Sequence, residues 1–215
     1  MIPDFTVCTV SFHEQKHAAG AIAVCADALI THDRDFSPVR SLLVLPWRTS
    51  GIVSIMQIIV RKEARRLVVL VDGREEGSHP VTLGRNWAAD KAVEGDEATP
   101  LGEFYICAKN PRSKFFLSLC ISYPNAEDAE RGLEADLITP AEHTAILDAT
   151  ARRAMPPQNT RLGGQIYIHG EDPRAAAPAG ALVSSGTRGC IALQNSAMQE
   201  LFDRTALGTL VIITR

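Results

Sequence analysis

Short apolar runs separated by turn signals fill the chain from residue 52 onward, and this pattern constrains the fold more than any other feature of the sequence. Runs of roughly four to eight residues that are rich in β-branched and aromatic side chains are typical of β-strands. Asp72-Gly73 separates two of the runs and predicts a tight hairpin turn, and Asn110-Pro111 predicts the turn of a second hairpin. The predicted strands cover residues 55–60, 66–71, 79–83, 103–108, 114–122, 165–169 and 209–214.

Helices are fewer, and capping residues mark where two of them are predicted to begin. Asn125 precedes a segment that closes at Gly132, and Thr139 followed by Pro140 precedes a longer one. The predicted helices cover residues 125–132, 140–154 and 195–203, and the proline-rich stretch 172–180 is predicted to be a surface loop. The sequence therefore predicts a mainly β (α+β) domain with peripheral helices.

Residues 1–51 differ from the rest, because they show no sustained helical or strand periodicity. We interpret them as an N-terminal extension of uncertain order before a domain at 52–215. Met56 could serve as a start codon, in which case the extension would be an over-extended gene start. No signal peptide is visible, since the chain opens without a basic region and Asp27 interrupts the apolar stretch 18–30. No segment is apolar over a length that predicts a transmembrane helix.

Charge and cysteine content narrow the possible functions. The formal net charge is -3 with both signs dispersed, so no surface for nucleic acid or for an anionic membrane is predicted. The chain has five cysteines, and an odd number leaves at least one thiol outside any intramolecular disulfide. Cys107 and Cys120 fall in neighbouring predicted strands, where two buried apolar residues are a better interpretation than a disulfide.

A thiol and an imidazole in the last third of the chain form a candidate catalytic pair. His169 ends a predicted strand beside a glycine, and Cys190 follows Gly189 about twenty residues later. A free thiol has a pKa near ~8.5, so a nucleophilic cysteine needs a nearby base or cation. The amides of Gly189 and Cys190 could face a developing oxyanion, and Arg188 adds a fixed charge. From these residues alone, a buried structural cysteine remains the more common alternative.

The segment around this pair resembles the signature of the L,D-transpeptidase catalytic domain, or YkuD, family. His169 is followed by Gly170 and, after a loop of the family's length, by Thr187-Arg188-Gly189-Cys190-Ile191. The resemblance extends upstream to 60–73, to Gly95-Asp96 with 99–104, and to 110–125, where it is similar to the branch that includes lipoprotein-detaching murein hydrolases. It covers about residues 56–215 and implies a mixed β-sheet sandwich or barrel. Arg188 stands in place of the motif histidine, and Ala192 in place of the asparagine expected two residues after the cysteine.

The resemblance implies a cysteine acyltransferase that uses peptidoglycan stem peptides as donor and acceptor. Cys190 would attack the carbonyl of the third stem residue, His169 would serve as the base, and the Gly170 carbonyl would fix the imidazole tautomer. An amine acceptor completes an L,D-transpeptidation. Water instead gives a murein peptide hydrolase, either an L,D-carboxypeptidase or an enzyme that releases a wall-linked protein. No metal or cofactor is required, the family implies the periplasm or cell envelope, and the oligomeric state is left open.

Further residues around the cleft are candidates for substrate binding by the same resemblance. Thr187, Arg188 and Gly189 precede the nucleophile, and Tyr123 lies in a segment similar to a substrate-cleft loop. Two of these have equally good structural interpretations, because Tyr123 could be a packing tyrosine and Arg188 a solvent-facing arginine.

Two functions from other classes remain as alternatives. His13-Glu14-Gln15-Lys16-His17 is an HExxH pattern, which on a helix would place two zinc ligands on one face. Only twelve residues precede it and Ala23 occupies the third ligand position of the longer motif, so a solvated polar face is favoured over a metalloprotease. Bound zinc in purified protein would support the protease. A non-catalytic wall-binding module is disfavoured, because it would have no use for both Cys190 and His169.

Overall fold

The computed structural model describes residues 54–172 and 186–215. This part of the chain is mainly β, which confirms the predicted fold class. Its strands are β1 (Met56–Arg61), β2 (Arg66–Val71), β3 (Arg74–Pro80), β4 (Gly102–Ser113), β5 (Phe116–Ile121), β6 (Tyr167–His169), β7 (Ile191–Ala192) and β8 (Leu210–Thr214). Its helices are α1 (Ala126–Glu134), α2 (Pro140–Ala151) and α3 (Asn195–Arg204). None of these helices has the length and apolar character that crossing a membrane requires.

The strands form one mixed sheet in the order β3-β2-β1-β8-β4-β5-β6-β7. The pairs β1–β8 and β6–β7 are parallel, and the other neighbours are antiparallel. The sheet curls into a half-barrel, so that the segment following β3 reaches β7 at the other end of the order. There Thr82 and Ala192 exchange two backbone hydrogen bonds of 2.9 and 2.8 Å. This bridge ties the segment before the long connecting loop 85–101 directly to the strand that follows Cys190.

Side chains alternate along β5, so one face of the strand packs into the core and the other faces the candidate site. Leu117, Leu119 and Ile121 belong to the main hydrophobic core, which extends through β1, β2, β4 and β8. Since successive side chains point to opposite faces, Ser118 and Cys120 lie on the other face of the strand. Their partners across the ladder are His169 and Tyr167 of β6. The second face of β5 and β6 therefore carries the candidate base.

The helices begin where their capping residues predict. The Asn125 side chain accepts a hydrogen bond from the Asp128 amide and caps α1, while Thr139 caps α2 in the same way with Glu142. The two helices bury a small second cluster of apolar side chains against each other, made of Ala129, Ile138, Ile146 and Leu162. The third helix packs Met198 and Leu201 into the main core.

Two predicted hairpin details are wrong. The turn between β4 and β5 falls at residues 114–115, because β4 continues through Asn110-Pro111 to Ser113. The ladder is irregular between Asn110 and Ser113, so the missing amide hydrogen of Pro111 costs little there. The third strand begins at Arg74 directly after the Asp72-Gly73 turn, rather than at residue 79. Its charged residues fit an edge strand, which needs no continuous apolar face.

Candidate functional site

The candidate base ends strand β6, and the candidate nucleophile directly precedes β7, the parallel neighbour of β6. Ile168 of β6 pairs with Ile191 of β7, so Cys190, one residue before β7, lies beside Tyr167. The Cys190 thiol is 3.5 Å from the carbonyl oxygen of Gln165 and accepts a hydrogen bond from the Tyr167 amide. His169 ends β6 and pairs with Ala192. Cys190 is thus level with the first residue of β6, two residues along that strand from His169, although a 20-residue stretch of chain separates the two.

The histidine is oriented for proton transfer through one ring nitrogen. Its Nδ1 lies 2.6 Å from the backbone oxygen of Gly170, and because a carbonyl only accepts, Nδ1 carries the hydrogen. The other nitrogen, Nε2, is then the basic one. Burial lowers the pKa of His169, the positive charge of Lys114 lowers it further, and the Gly170 hydrogen bond opposes both. The imidazole is therefore held neutral at neutral pH, as a general base requires.

Gly170 and Asn195 lock the backbone next to this histidine. A Cβ atom on Gly170 would collide with Asn195 Oδ1 and approach the carbonyl oxygen of Phe115 to 3.0 Å. The same Asn195 oxygen accepts a hydrogen bond of 2.8 Å from the Glu171 amide, and the Gly170 amide donates to Leu117 O at 3.1 Å. The carbonyl that orients His169 is consequently fixed from several sides. Asn195 is the first residue of α3, and sequence reasoning missed this role.

Burial and two lysines shift the pKa of the Cys190 thiol in opposite directions. Burial raises the pKa of Cys190, whereas the Tyr167 amide, Lys91 and Lys114 lower it. Lys91 is itself buried and hydrogen-bonds to the Asp96 carboxylate and to Val93 O, both at 3.0 Å. Both lysines are distant from Cys190 in the sequence, and sequence reasoning missed them. The nearest signal was the Gly95-Asp96 motif, whose aspartate holds Lys91.

The turn before Cys190 is built around Thr187 and Gly189. Gly189 has a φ of +119°, which favours glycine, and a Cβ there would be 2.7 Å from Ala98 O. Its amide donates to Thr187 Oγ1 at 3.1 Å, and that hydroxyl donates to Cys190 O at 2.6 Å. The Gly189 amide, expected as an oxyanion donor, is thus engaged within the turn in this structure. Thr187 shapes the turn through its side chain.

Two other candidate binding residues lie in different surroundings. Tyr123 is completely buried, and its hydroxyl donates to Leu162 O at 3.1 Å. Burial also raises the pKa of Tyr123, so the side chain stays a neutral packing group. Arg188 is exposed, and the cations that act on the thiol are Lys91 and Lys114 instead. The HExxH pattern at 13–17 lies outside the described residues, and within the described part no cluster of three or more His, Cys, Asp or Glu side chains could hold a metal.

The two strand cysteines next to this site are free thiols. Neither Cys107 nor Cys120 forms a disulfide, as the sequence interpretation favoured, and Cys120 is buried. Cys107 Sγ lies 3.5 Å from Cys120 O on the neighbouring strand. Cys107 is half-buried and has no contact with the candidate pair, which makes it a useful control thiol.

The curled eight-stranded mixed β-sheet with three helices is a fold of the L,D-transpeptidase class. The comparison with protein families gives the same result, since the L,D-transpeptidase catalytic domain (YkuD) family matches residues 56–213. The chain belongs to this family, whose members act on peptidoglycan stem peptides. No curated protein sequence matches the chain.

Solved structures are similar in fold at low sequence identity. The helical cell shape determining protein Pgp2 from Campylobacter jejuni is 22% identical with a TM-score of 0.50, and the match covers 75% of this chain and 48% of that one. Bd1075 from Bdellovibrio bacteriovorus is 21% identical with a TM-score of 0.46, covering 75% and 48%. An L,D-transpeptidase from Mycobacterium smegmatis is 15% identical with a TM-score of 0.42, covering 75% and 59%. The match thus spans only about half of the length of these proteins.

Proposed function

We propose that this chain is a cysteine-dependent L,D-transpeptidase that forms an acyl-enzyme on Cys190 from a peptidoglycan stem peptide. The proposal depends on the state and position of the His169 imidazole. Burial keeps the ring neutral, and its Nδ1 donates to Gly170 O. His169 ends β6, and Cys190 directly precedes the neighbouring strand β7. The expected place of action is the cell envelope.

The reaction follows from the positions of these groups. His169 Nε2 takes the thiol proton as Cys190 Sγ attacks the carbonyl carbon of the third stem residue, and the oxygen of the tetrahedral intermediate carries the negative charge. We assign the Cys190 amide as a donor to this oxygen, because the Gly189 amide is engaged by Thr187. Collapse breaks the C–N bond, and the proton on Nε2 goes to the leaving amine.

The second half of the reaction repeats the same proton transfers. An acceptor amine gives its proton to Nε2 and attacks the thioester carbonyl, a new amide bond forms, and the Cys190 thiolate leaves and is reprotonated. Water in place of the amine yields a shortened stem peptide by hydrolysis. This second outcome, an L,D-carboxypeptidase or a hydrolase that detaches a wall-linked protein, uses the same acyl-enzyme. The resemblance of residues 110–125 to the branch that includes lipoprotein-detaching murein hydrolases is the reason to test it alongside the first.

The test is product analysis by mass spectrometry after incubating purified muropeptides with the full chain. Cross-linked dimers indicate transpeptidation, and shortened monomers indicate hydrolysis. We expect both to be absent with Cys190→Ala, whereas Cys107→Ala, which removes a half-buried thiol away from the pair, should match the wild type. Equal turnover by the wild type and Cys190→Ala would contradict the proposal.

A further inference from the structure

The turn between β4 and β5 places a cation next to the candidate base. The ammonium of Lys114 lies 4.8 Å from the ring centroid of Phe115. The Phe115 ring in turn stacks on the His169 imidazole, with centroids 4.5 Å apart and planes 24° from parallel. An ammonium, a phenyl ring and an imidazole are therefore in consecutive contact. Lys114 also lies close enough to lower the pKa of both His169 and Cys190, so its charge acts on both members of the pair.

The backbone of this turn is held in one conformation. The Phe115 amide donates to Ser113 Oγ at 3.1 Å, and Phe116 has a φ of +69°, a region that non-glycine residues rarely occupy. Phe115 O also limits the space at Gly170, next to the base. Backbone strain of this kind persists where the surrounding structure holds it, and it is concentrated at functional sites. The turn therefore presents Lys114 from a fixed position.

Lys114 differs from the other lysines of the described part of the chain. The ammonium groups of Lys62, Lys91 and Lys109 each donate hydrogen bonds to protein oxygens. Lys114 is exposed, and among the described residues neither a carboxylate nor a carbonyl pairs with its ammonium. The Lys114 ammonium contacts the Phe115 ring and keeps its hydrogen-bond donors available, so it is suited to bind an anionic group of the substrate.

The chemistry of the proposed reaction identifies this anionic group. The leaving nitrogen must approach His169 Nε2, because that nitrogen delivers its proton. When the leaving group is the C-terminal residue of a stem peptide, its α-carboxylate is only two bonds from that nitrogen. The Phe115 ring that stacks on the His169 imidazole also carries the Lys114 ammonium, so this cation is linked to the base by two consecutive contacts. We propose that Lys114 binds the free C-terminal carboxylate of the donor stem peptide, an inference that rests on the proposed function.

This assignment makes Lys114 a substrate-specificity residue. It selects donor peptides whose scissile bond precedes the last residue. It disfavours donors whose C-terminal carboxylate is amidated, and donors in which further residues follow that position. Arg188, the cation suggested by the sequence motif, is exposed.

The test is a binding measurement that does not depend on turnover. The full chain carrying Cys190→Ala is titrated, by calorimetry at low ionic strength, with a stem tetrapeptide and with the same peptide as its C-terminal carboxamide. Each is repeated with Lys114→Met, with Lys114→Arg, and with Arg112→Met as the matched control. Arg112 is an exposed cation two residues earlier that acts on neither His169 nor Cys190.

We expect the carboxylate peptide to bind about tenfold more tightly than the carboxamide, as for a hydrogen bond between charged groups. Lys114→Met should abolish this preference, Lys114→Arg should keep most of it, and Arg112→Met should leave it unchanged. The preference should also weaken as salt is added, because the lysine is exposed. An unchanged preference in Lys114→Met, no preference at all, or no binding of either peptide would overturn the assignment. Failure of the proposed function would be seen separately, as the lack of any acyl-enzyme on wild-type Cys190.

Discussion

Gly170→Ala is the substitution whose effect the structure defines most closely. The new methyl group would collide with Asn195 Oδ1 and lie 3.0 Å from Phe115 O and 3.1 Å from Phe116 Cβ. Asn195 cannot move aside without cost, because its oxygen is the acceptor for the Glu171 amide. The change therefore acts on the backbone that carries the carbonyl partner of His169.

The expected loss of folding stability in Gly170→Ala has two contributions. Overpacking a tight site costs about 1–3 kcal/mol of stability. Displacing Asn195 adds about 1 kcal/mol for the lost hydrogen bond to Glu171. The free energy of unfolding should thus fall by about 2–4 kcal/mol. If the Gly170 carbonyl shifts by about 1 Å, kcat/KM should fall by about 100-fold, since His169 loses its orientation.

Urea denaturation and steady-state kinetics measure the two effects, with Gly77→Ala as the matched control. A Cβ on Gly77 would meet only His79 Nε2, at 3.4 Å, so its stability should change by less than about 0.5 kcal/mol. Asn195→Ala removes the colliding oxygen, so the double variant with Gly170→Ala should be about 1 kcal/mol more stable than the sum of the single effects predicts. Strict additivity, or a Gly170→Ala protein as stable and active as the wild type, would refute the reasoning.

Three further predictions concern other parts of the molecule. Tyr123→Phe should lower the free energy of unfolding by about 1–3 kcal/mol, because Leu162 O loses a buried donor, and should leave kcat/KM nearly unchanged; a large kinetic loss at wild-type stability would instead support a substrate-cleft role. Lys114→Met should raise the pKa of both His169 and Cys190, by NMR titration and by alkylation rate against pH, and opposite shifts would contradict the proximity of this lysine. A chain that begins at Met56 should melt at the same temperature as the full chain and be equally active, whereas melting many degrees lower would show that the extension belongs to the fold.

The sign of the pH dependence of stability follows from the pKa shifts of His169 and Cys190. The folded-state pKa of His169 is lowered, so its contribution to stability is present above the unfolded value of about 6.5 and is lost as pH falls through the folded value. The folded-state pKa of Cys190 is raised, so its contribution is present below the unfolded value of about 8.5 and is lost as pH rises through the folded value.

Local sequence signals predicted the parts of the fold that depend on local chemistry. The Asp72-Gly73 turn, the caps Asn125 and Thr139, and the apolar runs of β1, β2 and β8 all lie where they were expected. The bounds of β3 and β4 were missed because both strands carry polar residues where one face is exposed. Strand β7 has two residues, too few to show any period, and only its pairing with β6 and Thr82 defines it.

The candidate site was predictable only as far as the family motif extends. Cys190, His169 and Gly170 were named from contiguous segments whose spacing resembles the family signature. Asn195, Lys91 and Lys114 act on them from α3, from the loop 85–101 and from a hairpin turn, so no spacing in the sequence relates them to the pair. Tyr123 lies within a recognisable motif, but its side chain is fully buried, and its substrate-cleft role stays a prediction.

The most direct test of the account is covalent labelling of the nucleophile. A carbapenem presents a strained carbonyl to the same thiolate, so intact-mass measurement should show one drug adduct per chain, and peptide mapping should place it on Cys190. Cys190→Ala should show no adduct, and His169→Ala should react far more slowly because the thiol lacks its base. An adduct on Cys107 or Cys120, or unchanged labelling of the Cys190→Ala protein, would contradict the central claim.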